Sequence, residues 1–384
     1  MDDYLFDETK VDKHLFRTND YFEQNQLSKY NIKFVQGTVK NVTSEGYDLG
    51  GTVEFESSES EAGIEKCQFD YLVIATGAQY GTPIKDGNRT KANRSQELKC
   101  WSSRIADASE VVVVGGGAVG VEFSAGIAYK NRQNKNKERT QKVHLVTRSN
   151  HLLERLPPKA SQYALDALTK LNVTIHFNKD AEELRSELPD ALFLPAATYI
   201  DTSFLDRKVF GDSIASNGGI KVNRYMQVEN FGRIFALGDC SVTPLNEEKG
   251  VVSVAQIGNT VWHNLENSCE NRSLVSLPTR IETVQGVTLG RNDGLFVVNY
   301  QLVMTGRVIP KFKDKTGEMF GNLQHELAHD KQSAVVLPVL GWISAFCGFC
   351  PISSRYRETA LIKKGVLMRK DESSITERID PKKD

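Results

Sequence analysis

Three glycines that directly follow four valines are the residues whose spacing best indicates a chemical task. Gly115, Gly117 and Gly120 fit the pattern G-x-G-x-x-G, after the valines of residues 111–114 and before a helix-forming run at residues 118–129. In such a unit the first glycine permits a tight turn, the second lets a pyrophosphate approach the backbone, and the third brings helix and strand together. The helix start would then face the phosphates. This context predicts a dinucleotide site, and the alternative is a buried strand that ends in a glycine-rich turn.

A second set of small residues ends an earlier apolar run. Residues 69–74 predict a buried strand, and Ala75, Thr76 and Gly77 follow it. A backbone without large side chains allows another molecule to come close, although a strand that simply ends in a turn is the alternative. The tripeptide is a stronger signal of a binding role because only one segment, residues 79–109, separates it from the glycine pattern. That segment is rich in Gly, Asn, Arg and Ser, which predicts a linker.

A carboxylate follows directly on a third apolar strand. Residues 233–237 predict this strand, and Gly238 and Asp239 come next. Ligands gather at strand ends in α/β sheets, and a carboxylate there could accept hydrogen bonds from a polyol. The alternative is that Asp239 caps the helix that follows.

A cation stands where a dinucleotide-binding unit commonly carries an acid. Residues 143–147 predict the second strand of the unit, and Thr147, Arg148 and Ser149 occupy its end. An acidic residue at this point would receive the ribose 2′-hydroxyl. Arg148 between two hydroxyl side chains suits a 2′-phosphate better, so we expect NADPH to be favoured over NADH. The alternative is that Arg148 points to solvent.

Hydrophobic periodicity predicts the elements that would position these residues. An antiparallel meander is expected from strands at residues 31–39, 51–56 and 67–74. The glycine unit would continue with a charge-rich insertion at 130–142, a helix at 158–171, and strands at 173–177 and 191–194. Alternation at residues 220–228 then leads into the strand before Asp239.

The composition limits the class of protein. The chain has 384 residues, of which 40% are hydrophobic and 25% charged, and this is typical of a soluble globular protein with two or three domains. A net charge of −1 does not favour a nucleic-acid surface. The acidic start at residues 1–3 lacks an apolar signal region, and six scattered cysteines suit a reducing compartment. We therefore expect a cytoplasmic protein.

The motifs A-T-G, G-G-G-x-x-G-x-E and I-F-A-L-G-D, in this order, resemble a known superfamily. It is the FAD/NAD(P)-binding pyridine-nucleotide oxidoreductase superfamily, and the chain looks most like apoptosis-inducing-factor homologues of the ferroptosis-suppressor type, with type II NADH dehydrogenases as more distant relatives. Residues 287–294 and 303–307 also resemble that subfamily's C-terminal region. The resemblance covers roughly residues 25–320. No C-x4-C pair occurs near the start, so the disulfide-reductase branch is disfavoured.

The resemblance implies an α/β fold with two interleaved Rossmann-like dinucleotide-binding domains and a C-terminal α+β region. Residues 1–82 and 206–275 would form the FAD-binding domain, which we expect to be incomplete because no G-x-G-x-x-G precedes Asp70. Residues 83–205 would bind NAD(P)H. Residues 276–330 would form the C-terminal region, and residues 331–384 an uncharged segment with a charged tail.

The resemblance also implies a role for individual residues. For NAD(P)H, Gly115, Gly117 and Gly120 would hold the pyrophosphate, and Glu122 would lie near the nicotinamide. For FAD, Thr76 and Gly77 would approach the flavin nucleotide, and Gly238 and Asp239 would bind the ribitol. Ala255 and Gln256 would lie near the isoalloxazine, and Val39 would contact the adenine region. The implied activity is electron transfer from NAD(P)H through FAD to a quinone-like acceptor, with no single catalytic side chain assigned. The alternative is a non-catalytic NAD(P)-binding protein without stable FAD.

Two C-terminal patterns suggest other functions. Residues 325–329 read H-E-x-x-H, a zinc-hydrolase signal on a helix. Because Asp330 follows directly and another fold already explains the chain, we interpret the match as coincidence and expect no metal. Residues 332–354 carry no charge and precede several basic residues, which suits either a peripheral membrane contact or a buried helix. The C-x-x-C of Cys347 and Cys350 lacks the second pair typical of zinc.

Overall fold

The computed structural model describes residues 33, 35–57, 63–84, 91–133, 141–247 and 249–313. Its strands are β1 (Gly37–Ser44), β2 (Gly51–Ser57), β3 (Ile64–Phe69), β4 (Leu72–Ile74), β5 (Gln79–Tyr80), β6 (Glu110–Val114), β7 (Lys142–Val146), β8 (Val173–His176), β9 (Leu192–Pro195), β10 (Thr198–Tyr199), β11 (Ile220–Lys221), β12 (Ile234–Ala236), β13 (Ser241–Val242), β14 (Val284–Thr288), β15 (Gly294–Val298) and β16 (Gln301–Thr305). Its helices are α1 (Lys91–Asp107), α2 (Ala118–Gln133), α3 (Pro158–Lys170), α4 (Ala181–Glu187), α5 (Arg207–Phe210) and α6 (Val251–Cys269), with 3₁₀ turns at Gly211–Ser213 and Gly238–Cys240.

The glycine unit forms the predicted β-turn-α-β crossover. Strand β6 lies between β7 and β9 in a parallel sheet of order β8-β7-β6-β9. Val111, Val112 and Val113 are fully buried because the core that includes α2 and α3 covers one face of the sheet and a smaller cluster around Leu184 of α4 covers the other. Burial on both faces explains the unbroken run of valines. The carboxyl ends of all four strands therefore point to one edge, where the glycines stand.

Strands that precede and follow the glycine unit in the chain pair with each other. Strands β1, β2 and β3 form an antiparallel meander, as expected, but β1 begins at Gly37 rather than at residue 31. The predicted third strand, residues 67–74, was wrong in its bounds: it is divided between β3, which ends at Phe69, and β4, which begins at Leu72 and pairs in a different sheet. Strand β4 pairs in parallel with β12, which comes after the whole glycine unit in the chain. Gly77 and Asp239 therefore follow neighbouring strands that run in the same direction.

The segment interpreted as a linker, residues 79–109, is largely helical, and that prediction was wrong. Helix α1 occupies residues 91–107 and buries Leu98 and Ile105, which are 1% and 3% exposed. Trp101 packs against the same core. These three side chains follow the i, i+3, i+7 spacing of one helical face, but the polar residues around them masked the pattern. The insertion at 130–142 also starts later than expected, because α2 extends to Gln133; residues 134–140 lie outside the described part.

The last described strands, β14, β15 and β16, form an antiparallel sheet that packs on the glycine unit. The Tyr163 hydroxyl of α3 donates to Asp293 Oδ1 at 2.7 Å, and Asn292 Nδ2 donates to the Tyr129 hydroxyl of α2 at 3.0 Å. These contacts fix the C-terminal sheet against the helices that flank the dinucleotide site.

Several sequence patterns lie outside the described residues: the H-E-x-x-H of residues 325–329, the uncharged segment 332–354 with Cys347 and Cys350, and the charged tail. Within the part that the structure covers, none of the helices combines the length and the apolar content needed to cross a membrane. The same part contains no cluster of His, Cys, Asp and Glu side chains suited to holding a metal ion.

Two histidines on neighbouring strands should make stability depend on pH. His144 Nδ1 of β7 lies 3.1 Å from His176 Nε2 of β8. Burial lowers the pKa of both imidazoles, and the charge of the His176 ring lowers the pKa of His144 further. Below pH 6.5 the unfolded chain therefore binds more protons than the folded one, so we expect the free energy of unfolding to fall as the pH decreases from 7.5 to 5.5.

Chemical denaturation across this pH range checks the expectation. A variant with both His144→Gln and His176→Gln should show a flatter dependence. The exposed His263 of α6 provides the control, since His263→Gln should keep the wild-type slope. An unchanged slope in the double variant would show that the pair does not cause the pH dependence.

Candidate dinucleotide site

The three glycines of the turn have three different surroundings. Gly115 has a φ of +124°, a conformation that L side chains rarely adopt, and its amide donates to the Val146 carbonyl at 2.9 Å. A Cβ built on Gly120 would lie 1.8 Å from the Gly115 carbonyl oxygen, whereas one built on Gly117 meets no atom within 4 Å. Gly115 and Gly120 therefore shape the turn, and Gly117 leaves open space in front of it.

That open space lies at the start of α2. The Val121 amide donates to the Gly117 carbonyl at 3.0 Å, which makes Gly117 the N-cap residue of the helix. The amides of the first helical turn have no partner within the helix and carry its positive dipole end. An exposed glycine at such a cap fits the pyrophosphate of a dinucleotide.

A cavity of about 440 Å³ adjoins the turn, within the size range of small-molecule sites. Its walls come from the ends of β6 and β7 and from the loops after β7, β8 and β9, and they are lined by Val114, Gly115, Val146, Thr147, Arg148, Ser149, Glu154, Lys179, Asp180, Ala181 and Ala197. From the Gly117 turn, the adenosine half of the nucleotide would extend into this cavity. The glycine turn and the cavity together fit NAD(P)H.

Backbone hydrogen bonds fix the loop that carries Arg148 at the edge of this cavity. The Lys179 amide donates to the Thr147 carbonyl and the Asn178 amide to the Ser149 carbonyl, both at 3.1 Å. The Ser149 amide donates to Thr147 Oγ1 at 3.2 Å. Arg148, between these anchored residues, is exposed, lines the cavity and has no hydrogen bond or ion pair within the described residues. Its predicted place beside the ribose is consistent with this geometry, and its role stays a prediction.

Glu122 is buried and connects the glycine unit to the C-terminal sheet. Its side chain is 9% exposed, and Oε1 accepts hydrogen bonds from the Thr288 amide at 2.8 Å and the Thr288 hydroxyl at 3.0 Å. Lys313 forms an ion pair with the same oxygen. The residue therefore has a structural role that its motif did not predict, and its proximity to a nicotinamide stays a prediction.

Removing the Glu122 carboxylate should destabilise the fold. Glu122→Ala removes a buried carboxylate that accepts two hydrogen bonds from Thr288 and pairs with Lys313, so we expect the free energy of unfolding to fall by about 2–4 kcal/mol. Urea denaturation measures the change. Glu56→Ala is the control, because Glu56 forms an exposed pair with Lys40 and should change stability by less than about 1 kcal/mol. Equal effects of the two substitutions would contradict a structural role for Glu122.

A second open cluster lies at the carboxyl ends of β4 and β12. Gly77 and Gly238 have φ angles of +68° and +76°, and a Cβ built on either meets no atom within 4 Å. The Leu237 amide donates to the Ile74 carbonyl at 3.0 Å, which fixes the two strand ends side by side. Thr76 and Asp239 are both exposed beside these glycines. Two open glycines and a carboxylate at one sheet edge fit the ribitol and phosphate of FAD.

Asp239 is not a helix cap, so that alternative was wrong. The next α-helix, α6, begins at Val251 with Gly250 as its N-cap residue. The 3₁₀ turn that contains Asp239 has no side-chain cap. The carboxylate is therefore available to a ligand.

The remaining predicted residues occupy different environments. Ala255 is exposed on the first turns of α6. The neighbouring Gln256 uses its side-chain amide to hold the backbone before β14: Nε2 donates to the Glu282 carbonyl at 3.0 Å, and Oε1 accepts from the Glu282 amide at 3.2 Å. Val39 lies on β1, is 36% exposed and precedes an irregularity in the β1–β2 pairing. Contacts of these three residues with FAD stay predictions.

Tyr80, which the sequence did not single out, feels the charges of two predicted site residues. It lies on β5, opposite Thr198 of β10. Burial raises the pKa of the Tyr80 phenol, and the negative charges of Asp239 and Glu122 raise that pKa further. One carboxylate belongs to the second open cluster and the other to α2, so the Tyr80 phenol lies within electrostatic range of both carboxylates. A tyrosine shortly after A-T-G was the available signal, but its environment depends on long-range contacts.

Known proteins resemble the chain in sequence and in fold. Ferroptosis suppressor protein 1 of Xenopus tropicalis is 29% identical over 254 residues, which cover 60% of this chain and 65% of that protein. Apoptosis-inducing factor homolog A of Dictyostelium discoideum is 26% identical over 319 residues, which cover 73% of each. These alignments therefore leave about a third of the relatives' own length unmatched. The structure of the sulfide:quinone oxidoreductase of Aquifex aeolicus superposes with a TM-score of 0.60 at 16% identity, covering 85% of this chain and 82% of that one.

These similarities confirm the predicted superfamily and the predicted Rossmann-type α/β fold. The model of one family, described as pyridine nucleotide-disulphide oxidoreductase, matches residues 5–261. This match covers more than half of the 384 residues and includes both open clusters. The chain belongs to the pyridine nucleotide-disulphide oxidoreductase family.

Proposed function

We propose that the chain is an NAD(P)H-dependent, FAD-linked oxidoreductase that passes electrons to a quinone-like acceptor. The observation that carries the proposal is that one chain presents two open sheet edges: the Gly117 turn with its adjoining cavity, and the edge that holds Gly77 and Asp239. When bound, the nicotinamide supplies a hydride and the flavin accepts it and passes electrons on. Family membership supports this reaction class.

The protein's own residues would bind and orient. Gly117 leaves room for the pyrophosphate at the start of α2, and Asp239 offers a carboxylate to the hydroxyls of the flavin side chain. The half-buried Tyr80 has a phenol pKa raised by burial and by the charges of Asp239 and Glu122, so it would stay neutral near both carboxylates. Residues 83–205 would form the NAD(P)H domain, and residues 1–82 with 206–275 the FAD domain.

The acceptor and the cellular location are inferred from relatives and from sequence. The name of the Aquifex structure includes a quinone, and the resemblance noted from the motifs implies the same class of acceptor. We propose a cytoplasmic protein that contacts a membrane peripherally through residues 332–354, because quinones reside in lipid.

A second candidate function is NAD(P) binding without stable FAD. It is favoured by the cavity of about 440 Å³, which adjoins the Gly115 turn and is lined by no residue of the second open cluster. Purified protein separates the two functions. The oxidoreductase predicts a visible flavin spectrum and NADPH oxidation that rises when FAD and a soluble quinone are added. Nucleotide binding without any flavin-dependent oxidation would support the second function.

The nicotinamide cofactor is proposed to be NADPH rather than NADH. Arg148 has no competing partner within the described residues and lines the adenosine cavity, where a bidentate contact with a 2′-phosphate is geometrically accessible to a guanidinium. We expect Arg148→Gln to raise the KM for NADPH about tenfold or more, the loss of one charge-assisted hydrogen bond, and to leave the KM for NADH nearly unchanged. Steady-state oxidation of the two cofactors measures this. A wild-type preference for NADH would contradict the proposal.

A further inference from the structure

The adenosine cavity has a second cation, Lys179, at the end of β8. The backbone amide of Lys179 is tied to Thr147 of the neighbouring loop, so its side chain stays beside the loop that carries Arg148. The Lys179 side chain is 22% exposed, and the residue lines the same cavity as Arg148. Two cations on adjacent loops can therefore reach one anion in this cavity.

Unlike Arg148, Lys179 already has a partner. Its Nζ lies 2.5 Å and 2.6 Å from the two carboxylate oxygens of Glu187, at the end of α4. The Glu187 side chain is 57% exposed, and ion pairs exposed to water to this extent contribute little to stability. The charges of Lys179 and Glu187 both act on the pKa of His176, which places them together beside β8. A stronger anion could therefore take Lys179 from Glu187 at low cost.

We propose that Lys179 is a second specificity-determining residue for the adenosine 2′-phosphate, and that Glu187 sets the preference between NADPH and NADH by competing for it. This inference rests on the proposed NAD(P)H site. A 2′-phosphate carries about two negative charges and three acceptor oxygens, so it outcompetes the single carboxylate of Glu187. The flexible stem of Lys179 lets Nζ turn from one anion to the other. A 2′-hydroxyl offers no charge, so with NADH the lysine stays with Glu187.

The other charged residues that line the cavity, Asp180 and Glu154, do not take over the roles of Lys179 and Glu187. Asp180 Oδ1 accepts the Glu182 amide at 3.0 Å as the N-cap of α4, so part of its hydrogen-bonding capacity is used. Glu154 is exposed on the same loop as Arg148, where its carboxylate suits a ribose hydroxyl and repels a phosphate. Because Glu187 and a bound 2′-phosphate compete for Lys179, we expect the site to accept both NADPH and NADH. Lys179 and Glu187 would then shift the ratio of the two affinities.

Two probes isolate the adenosine half of the cofactor from the redox reaction. Isothermal titration of the full chain with 2′,5′-ADP and with 5′-AMP reports the contribution of the 2′-phosphate alone. We expect Lys179→Met to weaken 2′,5′-ADP binding about tenfold or more, the loss of one charge-assisted hydrogen bond, and to leave 5′-AMP binding within about twofold. Glu187→Gln should tighten 2′,5′-ADP binding severalfold and leave 5′-AMP binding unchanged.

The double variant tests the competition itself. If Glu187 acts through Lys179, Glu187→Gln should have little effect in the Lys179→Met background, which a double-substitution cycle measures as coupling. Lys142→Met is the matched control, because Lys142 pairs with Glu110 at the opposite end of the neighbouring strand, and it should leave both affinities unchanged.

Three outcomes would overturn the inference. Equal loss of both nucleotides in Lys179→Met would indicate that the lysine only supports its loop. An undiminished effect of Glu187→Gln in the double variant would indicate a general charge effect. If the wild type binds 5′-AMP without favouring 2′,5′-ADP, the inference and the proposed preference for NADPH fail while the proposed oxidoreductase reaction stands, whereas failure to bind either nucleotide removes all three.

Discussion

Gly117→Asp is expected to weaken NAD(P)H binding more than about 100-fold, equivalent to about 2.7 kcal/mol, while the protein remains folded. A Cβ at this position meets no atom within 4 Å, so the substitution causes no clash. Aspartate is also among the preferred N-cap residues, and Gly117 is the N-cap of α2. The added carboxylate would, however, occupy the space and the positive potential that the pyrophosphate needs.

Fluorescence titration with NADPH and thermal unfolding together check this result. Gly211→Asp is the matched control, because a Cβ on Gly211 also meets open space and Gly211 lies in a 3₁₀ turn away from β6 and α2. We expect the control to bind NADPH as the wild type does. Undiminished affinity in Gly117→Asp would show that the pyrophosphate does not approach this turn.

Gly120→Ala is expected to lower the free energy of unfolding by about 3 kcal/mol, the upper end of overpacking costs. The added methyl would lie 1.8 Å from the carbonyl oxygen of Gly115 and 2.9 Å from its carbonyl carbon. Both are backbone atoms of the turn, so the clash is relieved only if α2 moves away from β6. That movement would also disturb the turn at Gly115 and Gly117, and we expect nucleotide binding to be lost together with stability.

Urea denaturation measures this loss, and Gly258→Ala provides the control. Gly258 lies within α6, and its nearest neighbour to a built Cβ is Leu237 Cδ1 at 3.9 Å. Because alanine is the better helix former, the control should keep or raise stability by up to about 1 kcal/mol. A Gly120→Ala variant as stable as Gly258→Ala would contradict the close packing of helix on strand.

Local sequence was sufficient to predict the β-turn-α-β crossover of the glycine unit. The valines before Gly115 carry the signal of a strand buried on both faces, and turn and helix follow within a few residues, so no distant contact is needed. The A-T-G and G-D motifs were also recognised locally. Their juxtaposition through the β4–β12 pair followed from the resemblance and is now visible in the register of Ile74 with Ala236.

The residues that sequence analysis missed depend on long-range packing. Helix α1 was taken for a linker because its buried face, Leu98 and Ile105, is short of apolar neighbours along the chain. Tyr80 acquires its surroundings from Thr198 and from the charges of Asp239 and Glu122, all of which lie elsewhere in the chain. Glu122 was read as a ligand residue from its motif, but its bonds to Thr288 arise from a sheet that follows much later in the chain.

Anaerobic addition of NADPH to the purified, FAD-saturated chain tests the central claim most directly, since the claim is that the Gly117 turn delivers a reduced nicotinamide to a flavin held near Asp239. The account predicts that the visible flavin absorbance disappears in the wild type and persists in Gly117→Asp at the same NADPH concentration. A flavin that binds but is not reduced, or one that is reduced equally in both proteins, would contradict it.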